Sequence, residues 1–401
     1  MKPLPSHWRR GRIKWDSVTV AGATPSTDDD AFWLDGDDPE GTPFVAIADM
    51  SRRACVTATA KSLSADGMAS RKMPIGQAGT LLLAMYASVG ELAFLNIEAT
   101  WNQALLGITP NPDEVDARFL RYALLDMRDD LLREVRSNTQ ANLNARQVGD
   151  IWFQKPPLDE QRTIADYLDR ETARIETLIE EQQRLIEMLR ERRVAEADAL
   201  LGSPVQARNT TVKRALRPLS RPAVAGLGVV TAFRDGVVTL RSNRREDGYT
   251  FSDTEHGYQE IRPGDLVFHA LDGFAGAVGV SDSHGNATPV YHVCEAAAGD
   301  DLAYVARLLR YLGLNGFLAT QAPNVRERSV DFRNWAMFGR LPLALPPVEE
   351  QRRIAVHLDE QNAKTDTLIA ESERFIELAR ERRSALITAA VTGQIDVREA
   401  A

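Results

Sequence analysis

The chain has 401 residues, 44% of them apolar and 26% charged, with a net charge of −9. This is the composition of a globular protein of about two domains, and it excludes a low-complexity or disordered chain. No apolar run is long enough to span a bilayer and the opening MKPLPSHWRR has no apolar signal core, so a cytoplasmic protein with no membrane segment is expected.

The first domain is expected over residues 1–155. Arg12-Ile13-Lys14-Trp15 reads as a short strand. The stretch from Asp28 to Glu40 holds seven acids and reads as a loop. Phe44 to Ala48, Thr80 to Ala87 and Leu92 to Ile97 read as buried strands. From Asp116 to Val135, Phe119, Leu120, Ala123, Leu124, Met127, Leu131 and Leu132 recur at helical spacing. A polar, uncharged stretch follows, Ser137 to Asn144, and then Ile151-Trp152-Phe153.

Pro156-Pro157 then sets a boundary, because neither proline fits inside a helix. Asp159 and Glu160 place negative charge in the first turn of the helix that follows. Ile164, Leu168, Ile175, Leu178, Ile179, Leu185, Ile186 and Leu189 line it at helical spacing, and Gly202 is its stop. Segment 156–201 is thus read as one long helix, and about 40 residues of helix span about 60 Å at 1.5 Å per residue.

The second domain is expected over residues 202–345. Val237 to Leu240 and Tyr249 to Phe251 are strand-like, with the basic cluster Arg241, Asn243, Arg244 and Arg245 between them. Ile261 to Phe268 is a turn entering a strand, Pro289 to Cys294 another strand, and Leu302 to Leu312 a helix. Gln321 to Arg328 is a polar, basic loop.

Pro346-Pro347 opens a second long helix over 346–401, with Ile354, Leu358, Leu368, Ile369, Phe375, Ile376 and Leu378 on its apolar stripe. Residues 156–193 and 346–383 align without a gap, and 21 of the 38 positions are identical, so the chain is an internal repeat. A helix this long with a narrow apolar stripe needs a partner, and the simplest partner for one copy is the other. The fold class is α+β: two mixed α/β domains, each followed by a long helix. The helices match closely and the domains hardly at all, as expected when one mechanical task is done twice and each domain recognises something different.

No enzyme signature is present: no phosphate loop, no nucleophile elbow, no H-E-x-x-H. The six histidines lack metal-ligand spacing, and Cys55 and Cys294 form neither a disulfide framework nor a zinc cluster. A binding protein without catalytic residues, metal or cofactor of its own is expected. The acidity does not exclude nucleic acid. Segment 156–200 nets −5 and segment 346–401 nets −3, so the helices carry −8 of the −9. Arginine suits phosphates and guanine edges, and asparagine and glutamine suit adenine edges. The candidates in the first domain are Arg52, Arg53, Arg71, Lys72, Asn138, Thr139, Gln140 and Asn142. In the second they are Arg241, Asn243, Arg244, Arg245, Asn324, Arg326 and Arg328. A non-enzymatic coiled-coil scaffold presenting two protein-binding domains is the alternative, and a steep salt dependence of DNA affinity separates the two.

With these motifs laid out, the chain resembles the specificity subunit of type I DNA restriction-modification systems. The resemblance rests on the duplicated P-P-[LV]-[DE]-E-Q-R-x-I-A-x-x-L-D, the R-E-R-R that ends each match, and Ser384 to Asp396. Ser137 to Leu143 and Pro263-Gly264-Asp265-Leu266-Val267 are also similar. It implies that each domain is a target recognition domain reading one half of a bipartite site in double-stranded DNA. It implies that the helices pack antiparallel as a coiled-coil spacer, in a pseudo-twofold arrangement. It further implies that Ile164, Leu168, Ile175, Leu178, Ile179, Leu185, Ile354, Leu358, Leu368, Ile369 and Phe375 serve the helix pair or the docking of two methyltransferase subunits. S-adenosylmethionine, and ATP with Mg on restriction or motor subunits, would then belong to partners.

Overall fold

The computed structural model describes residues 5–51, 54–86, 88–137, 142–244, 257–321, 325–326 and 329–398. They form two compact units, residues 1–182 with 374–401 and residues 183–373.

The first unit opens with β1 (Arg9–Arg12), the single turn α1 (Ile13–Asp16) and β2 (Ser17–Ala21). It continues with β3 (Trp33–Asp35), β4 (Thr42–Val45), α2 (Ile47–Met50), β5 (Cys55–Val56), β6 (Lys61–Leu63) and α3 (Ala65–Ser70). Then come β7 (Leu81–Ala84), β8 (Leu92–Leu95), β9 (Thr100–Trp101), β10 (Leu105–Pro110), α4 (Ala117–Asp126), α5 (Arg128–Ser137), α6 (Ala145–Gly149) and β11 (Trp152–Lys155). A five-stranded sheet runs β2-β10-β7-β8-β5, a four-stranded sheet β3-β6-β4-β9, and β1 pairs with β11. The unbroken apolar run of β7 follows from burial on both faces. Leu81 and Leu83 enter a core shared with α4, while Leu82 and Ala84 enter a second core with Val45, Val56 and Trp101. Gly107 of β10 allows that second core to close, since a Cβ there would stand 2.4 Å from the Trp101 ring.

Helix α7 (Leu158–Leu201) belongs to the first unit as far as Gln182 and to the second beyond it. The second unit continues with β12 (Arg208–Thr211), α8 (Val212–Ala215), β13 (Leu216–Pro218), β14 (Val230–Ala232), β15 (Val238–Leu240), β16 (Gln259–Ile261) and β17 (Leu266–His269). After these come β18 (Val278–Val280), β19 (Gly285–Ala287), β20 (Tyr291–Ala296), α9 (Leu302–Leu314) and α10 (Phe317–Gln321). The unit closes with β21 (Val325–Arg326), β22 (Ser329–Val330), α11 (Trp335–Phe338), β23 (Pro342–Leu345) and the long α12 (Val348–Val391), which belongs to it as far as Glu373 and to the first unit beyond. Its main sheet runs β13-β20-β17-β18, and β12 pairs with β23. Its central strand repeats the two-faced burial. Leu266 and Phe268 enter the core under α9, and Val267 enters a second core with Val230 and Ile261.

The repeat is visible element by element. β1-α1-β2 corresponds to β12-α8-β13, and β11 to β23. The ladders agree in register: Arg9 pairs with Lys155 and Arg12 with Trp152, as Arg208 pairs with Leu345 and Thr211 with Pro342. α12 stops two residues before Gly393, whose φ of +69° only a glycine adopts freely.

Four expectations change. The strand expected at 12–15 ends at Arg12 and gives way to a helical turn, because the Asp16 carboxylate accepts the Arg12 amide at 2.7 Å. The acidic stretch 28–40 is not wholly loop: Trp33–Asp35 pairs with β6, held by an edge-on Trp33–Phe44 contact at 5.0 Å. The strand at 44–48 ends at Val45, where the Asp49 carboxylate takes the Ala46 amide and turns the chain into α2. The single helix at 116–135 is two, α4 and α5, separated at Met127. Tyr249 to Phe251 lies outside the described residues.

Candidate nucleic-acid interface

Each sheet domain is fixed to the start of a long helix by a fully buried glutamine at the same place in the repeat. In the first unit Gln161 accepts the Asp116 amide at 2.9 Å and donates to the carbonyls of Glu114 (3.0 Å) and Pro156 (2.8 Å). Asp116 is the N-cap of α4, its carboxylate taking the amides of Arg118 and Phe119. In the second unit Gln351 accepts the Asp301 amide at 2.9 Å and donates to the Pro346 carbonyl (2.9 Å) and the Asp300 carboxylate (2.8 Å). Asp301 is the N-cap of α9.

Two further contacts repeat. Tyr122, six residues past the first cap, donates to Asp169 at 2.8 Å; Arg307, six past the second cap, holds Asp359. Ten residues past each cap the domain helix meets the end of the other long helix, with Thr388 donating to Asp126 and Tyr311 to Asp198. α4 is thereby bound to the start of α7 and the end of α12, and α9 to the start of α12 and the end of α7. Burial pushes the Tyr122 phenol and the Asp126 carboxyl above their ordinary values.

Beyond these clamps the long helices pair with each other. On α7 the covered positions are Thr172, Ile175, Ile179, Gln182, Ile186, Leu189 and Arg193; on α12 they are Thr365, Ile369, Ser372, Ile376, Ala379 and Arg383. Their alternating steps of three and four are a coiled-coil seam. Glu176 meets Arg383 in the first unit, while Arg190 meets Glu373, Arg193 meets Asp366 and Glu196 meets His357 in the second. Numbers rise along one helix as they fall along the other, so the pair is antiparallel.

The residues read as helix-pair or docking positions divide three ways. Ile164 and Leu168 join the first unit's core, and Ile354 and Leu358 the second's. Ile175 and Ile179 are buried on the seam, and Leu185 and Ile369 are half-buried. Leu178, Leu368 and Phe375 are 44%, 46% and 41% exposed, which leaves apolar side chains on the outer faces of both helices.

Of the residues read as DNA contacts, Arg52, Arg53, Asn138, Thr139, Gln140, Arg245, Asn324 and Arg328 lie outside the described residues, and Arg326 is described as part of β21 only. Arg71 and Lys72 are exposed just past α3. Asn142 is exposed beside Leu143, whose amide is tied to the Met85 carbonyl. The second-domain cluster is bound locally. Arg244 pairs with Asp235 at 2.5 Å and lies 5.0 Å from the Phe233 ring, Asn243 donates to Thr239 at 2.8 Å, and Arg241 donates to Thr231 at 3.3 Å.

Two surfaces escaped the reading of the sequence because each joins segments far apart in the chain. In the first unit Trp15 (63% exposed) and Trp152 (45%) meet edge to face at 4.9 Å, with the Arg12 guanidinium over both rings. At the equivalent place in the second unit stand Arg214 and Pro342, beside Lys213 and Arg340. Among the described residues no group of acidic, histidine or cysteine side chains could hold a metal, and no helix is long and apolar enough to cross a membrane.

Residues 16–188 match the family model of the type I restriction modification DNA specificity domain. The fold is similar along 98% of the chain to that of two solved proteins. One comes from a structural study of complex assembly and conformational transition in a type I R-M system; it is 13% identical, fully covered, with a TM-score of 0.72. The other is the HsdS subunit from Thermoanaerobacter tengcongensis, 14% identical, 98% covered, with a TM-score of 0.58.

Proposed function

Over residues 16–188 the chain belongs to the type I restriction modification DNA specificity domain family, and from that premise we infer that it reads a bipartite target in double-stranded DNA for a type I restriction-modification complex. Residues 1–155 and 202–345 are its two recognition domains, one for each half-site. The long helices, 156–201 and 346–401, set the gap between half-sites and dock two methyltransferase subunits, with Leu178, Leu368 and Phe375 among the docking side chains. The chain performs no chemistry. S-adenosylmethionine sits on the methyltransferases, and ATP with Mg on the restriction or motor subunits.

The observation that carries this reading is the contrast between a clamp repeated at equivalent positions and two domain surfaces of different chemistry. Adenine methylation mapped across a host genome, with this chain and its methyltransferase expressed, tests it. One new motif of two half-sites with a fixed gap is expected. Exchange of residues 205–345 for the corresponding domain of a relative then changes one half-site only. No new motif from an assembled, expressed pair would overturn the reading in favour of a protein-binding scaffold.

A further inference from the structure

We propose that Lys213, Arg214 and Arg340 form a phosphate-binding site on the second unit, contacting the backbone of duplex DNA. The proposal rests on the DNA-reading function inferred above. Lys213 and Arg214 lie in the turn α8, and Arg340 lies just before β23. The Lys213 amide donates to the Gly339 carbonyl at 3.0 Å and the Val212 amide to the Leu341 carbonyl at 3.0 Å. These bonds set side by side the two segments, far apart in sequence, that carry the three cations. The approach is close: a Cβ on Gly339 would stand 3.0 Å from the Lys213 Cβ.

All three side chains are exposed, and none has an acidic partner among the described residues. That is unusual in this domain. Arg208, Arg217, Arg221, Arg234, Arg262 and Arg333 each hold an aspartate or glutamate. The equivalent place in the first unit shows the alternative. There Asp150 stands where Arg340 does, and it binds Arg12 and Lys14, each at 2.8 Å. The same scaffold thus neutralises its cations in one copy and concentrates them in the other. Three adjacent, uncompensated cations in a chain of net charge −9 attract an anion. Two guanidinium forks and an ammonium suit phosphate oxygens, and such contacts fix register on a duplex without reading bases.

The test uses the full chain assembled with its methyltransferase. Affinity for a target duplex and an unrelated duplex is measured across salt concentration. For Lys213→Gln/Arg214→Gln/Arg340→Gln, the slope of log K against log salt becomes shallower by about 0.9 for each phosphate no longer neutralised, so by about 2–3 in all. Both duplexes weaken alike and the methylated sequence stays the same. Lys14→Gln leaves the slope unchanged. If the triple variant misfolds, Arg214→Gln and Arg340→Gln singly each remove about 0.9 from the slope. A steep parental slope that the variants keep overturns the site, as does failure of methyltransferase assembly with the slope intact, which would make the patch a protein contact. A parental complex with no salt-dependent DNA affinity overturns the functional reading itself, a different result from either.

Discussion

Gln161→Leu isolates what the duplicated clamp contributes. Leucine fills nearly the same volume, so the change removes hydrogen bonds rather than opening a cavity. It strands the Asp116 amide and the carbonyls of Glu114 and Pro156, all now served by one fully buried side chain. The Pro156 bond is buried and the other two part-buried. A stranded buried group costs about 1–3 kcal/mol and a lost hydrogen bond about 0.5–1.5 kcal/mol, so about 3 kcal/mol is expected against a typical domain stability of about 5–15 kcal/mol. The loss falls on the anchorage of α4. Hydrogen exchange in the full chain reads it: a loss of about 3 kcal/mol speeds exchange in α4 by about a hundredfold. α9 should exchange as in the parent. Gln351→Leu produces the mirror result, with α9 loosened and α4 unchanged. Parental protection of α4 in Gln161→Leu would refute the clamp.

Arg208→Met leaves the Asp300 carboxylate, 1% exposed, without the guanidinium that binds it at 2.5 and 2.7 Å. Because the arginine is itself half exposed, a cost of about 2–3 kcal/mol is expected, below the range for a fully buried pair. Urea unfolding should show Asp300→Leu recovering part of it in the double variant. Burial holds the His292 imidazole below its ordinary value, against the bond to the Phe332 carbonyl. The unfolded chain therefore binds this proton first, and the second unit loses stability as pH falls below about 6.5. Thermal unfolding should show a smaller fall in His292→Gln, which keeps a donor but does not titrate. Burial pushes the Cys294 thiol well up, whereas Cys55 is exposed. A thiol reagent should therefore label Cys55 rapidly and Cys294 only on unfolding. Ile179→Arg, at a position 3% exposed, should destabilise the chain by several kcal/mol. Leu178→Gln next to it, 44% exposed, should stay within about 0.5 kcal/mol. Equal melting temperatures for the two would refute the seam.

The long helices and the central strands were legible because their signals are local and redundant. Proline boundaries, acidic first turns and helical spacing agree at α7 and α12, and β7 is a plain apolar run. The clamp was not legible. Gln161 stood in the repeated motif as one polar residue among many. Its role depends on Asp116, whose amide lies 45 positions earlier. Neighbours in sequence and neighbours in space also differ among the polar side chains. Arg241, Asn243 and Arg244 are compact in sequence but engaged locally in space, whereas Lys213 and Arg340 are apart in sequence and adjacent in space. Asp16 and Asp49 turned expected strands into helical turns by capturing a backbone amide, a competition that strand patterning does not register.

The chemistry of the clamp explains how one pair of helices can serve two unlike domains. Gln161 and Gln351 bind mainly backbone: a cap-residue amide and a proline carbonyl, with Glu114 adding a second carbonyl in the first unit. A backbone group is present whatever side chain the position carries, so the glutamine asks only that a helix begin there. Where the clamp does use side chains the pairing has drifted without disappearing. Asp169 takes a tyrosine where Asp359 takes an arginine, and an aspartate–threonine contact in one unit is a tyrosine–aspartate contact in the other. A domain can therefore change its whole outer surface and remain docked at the same angle to its own helix. It follows that an exchanged second domain should assemble whenever the graft supplies a helix whose cap amide meets Gln351. The same graft shifted by one residue should put that amide out of reach and, on the function proposed above, abolish methylation at both half-sites.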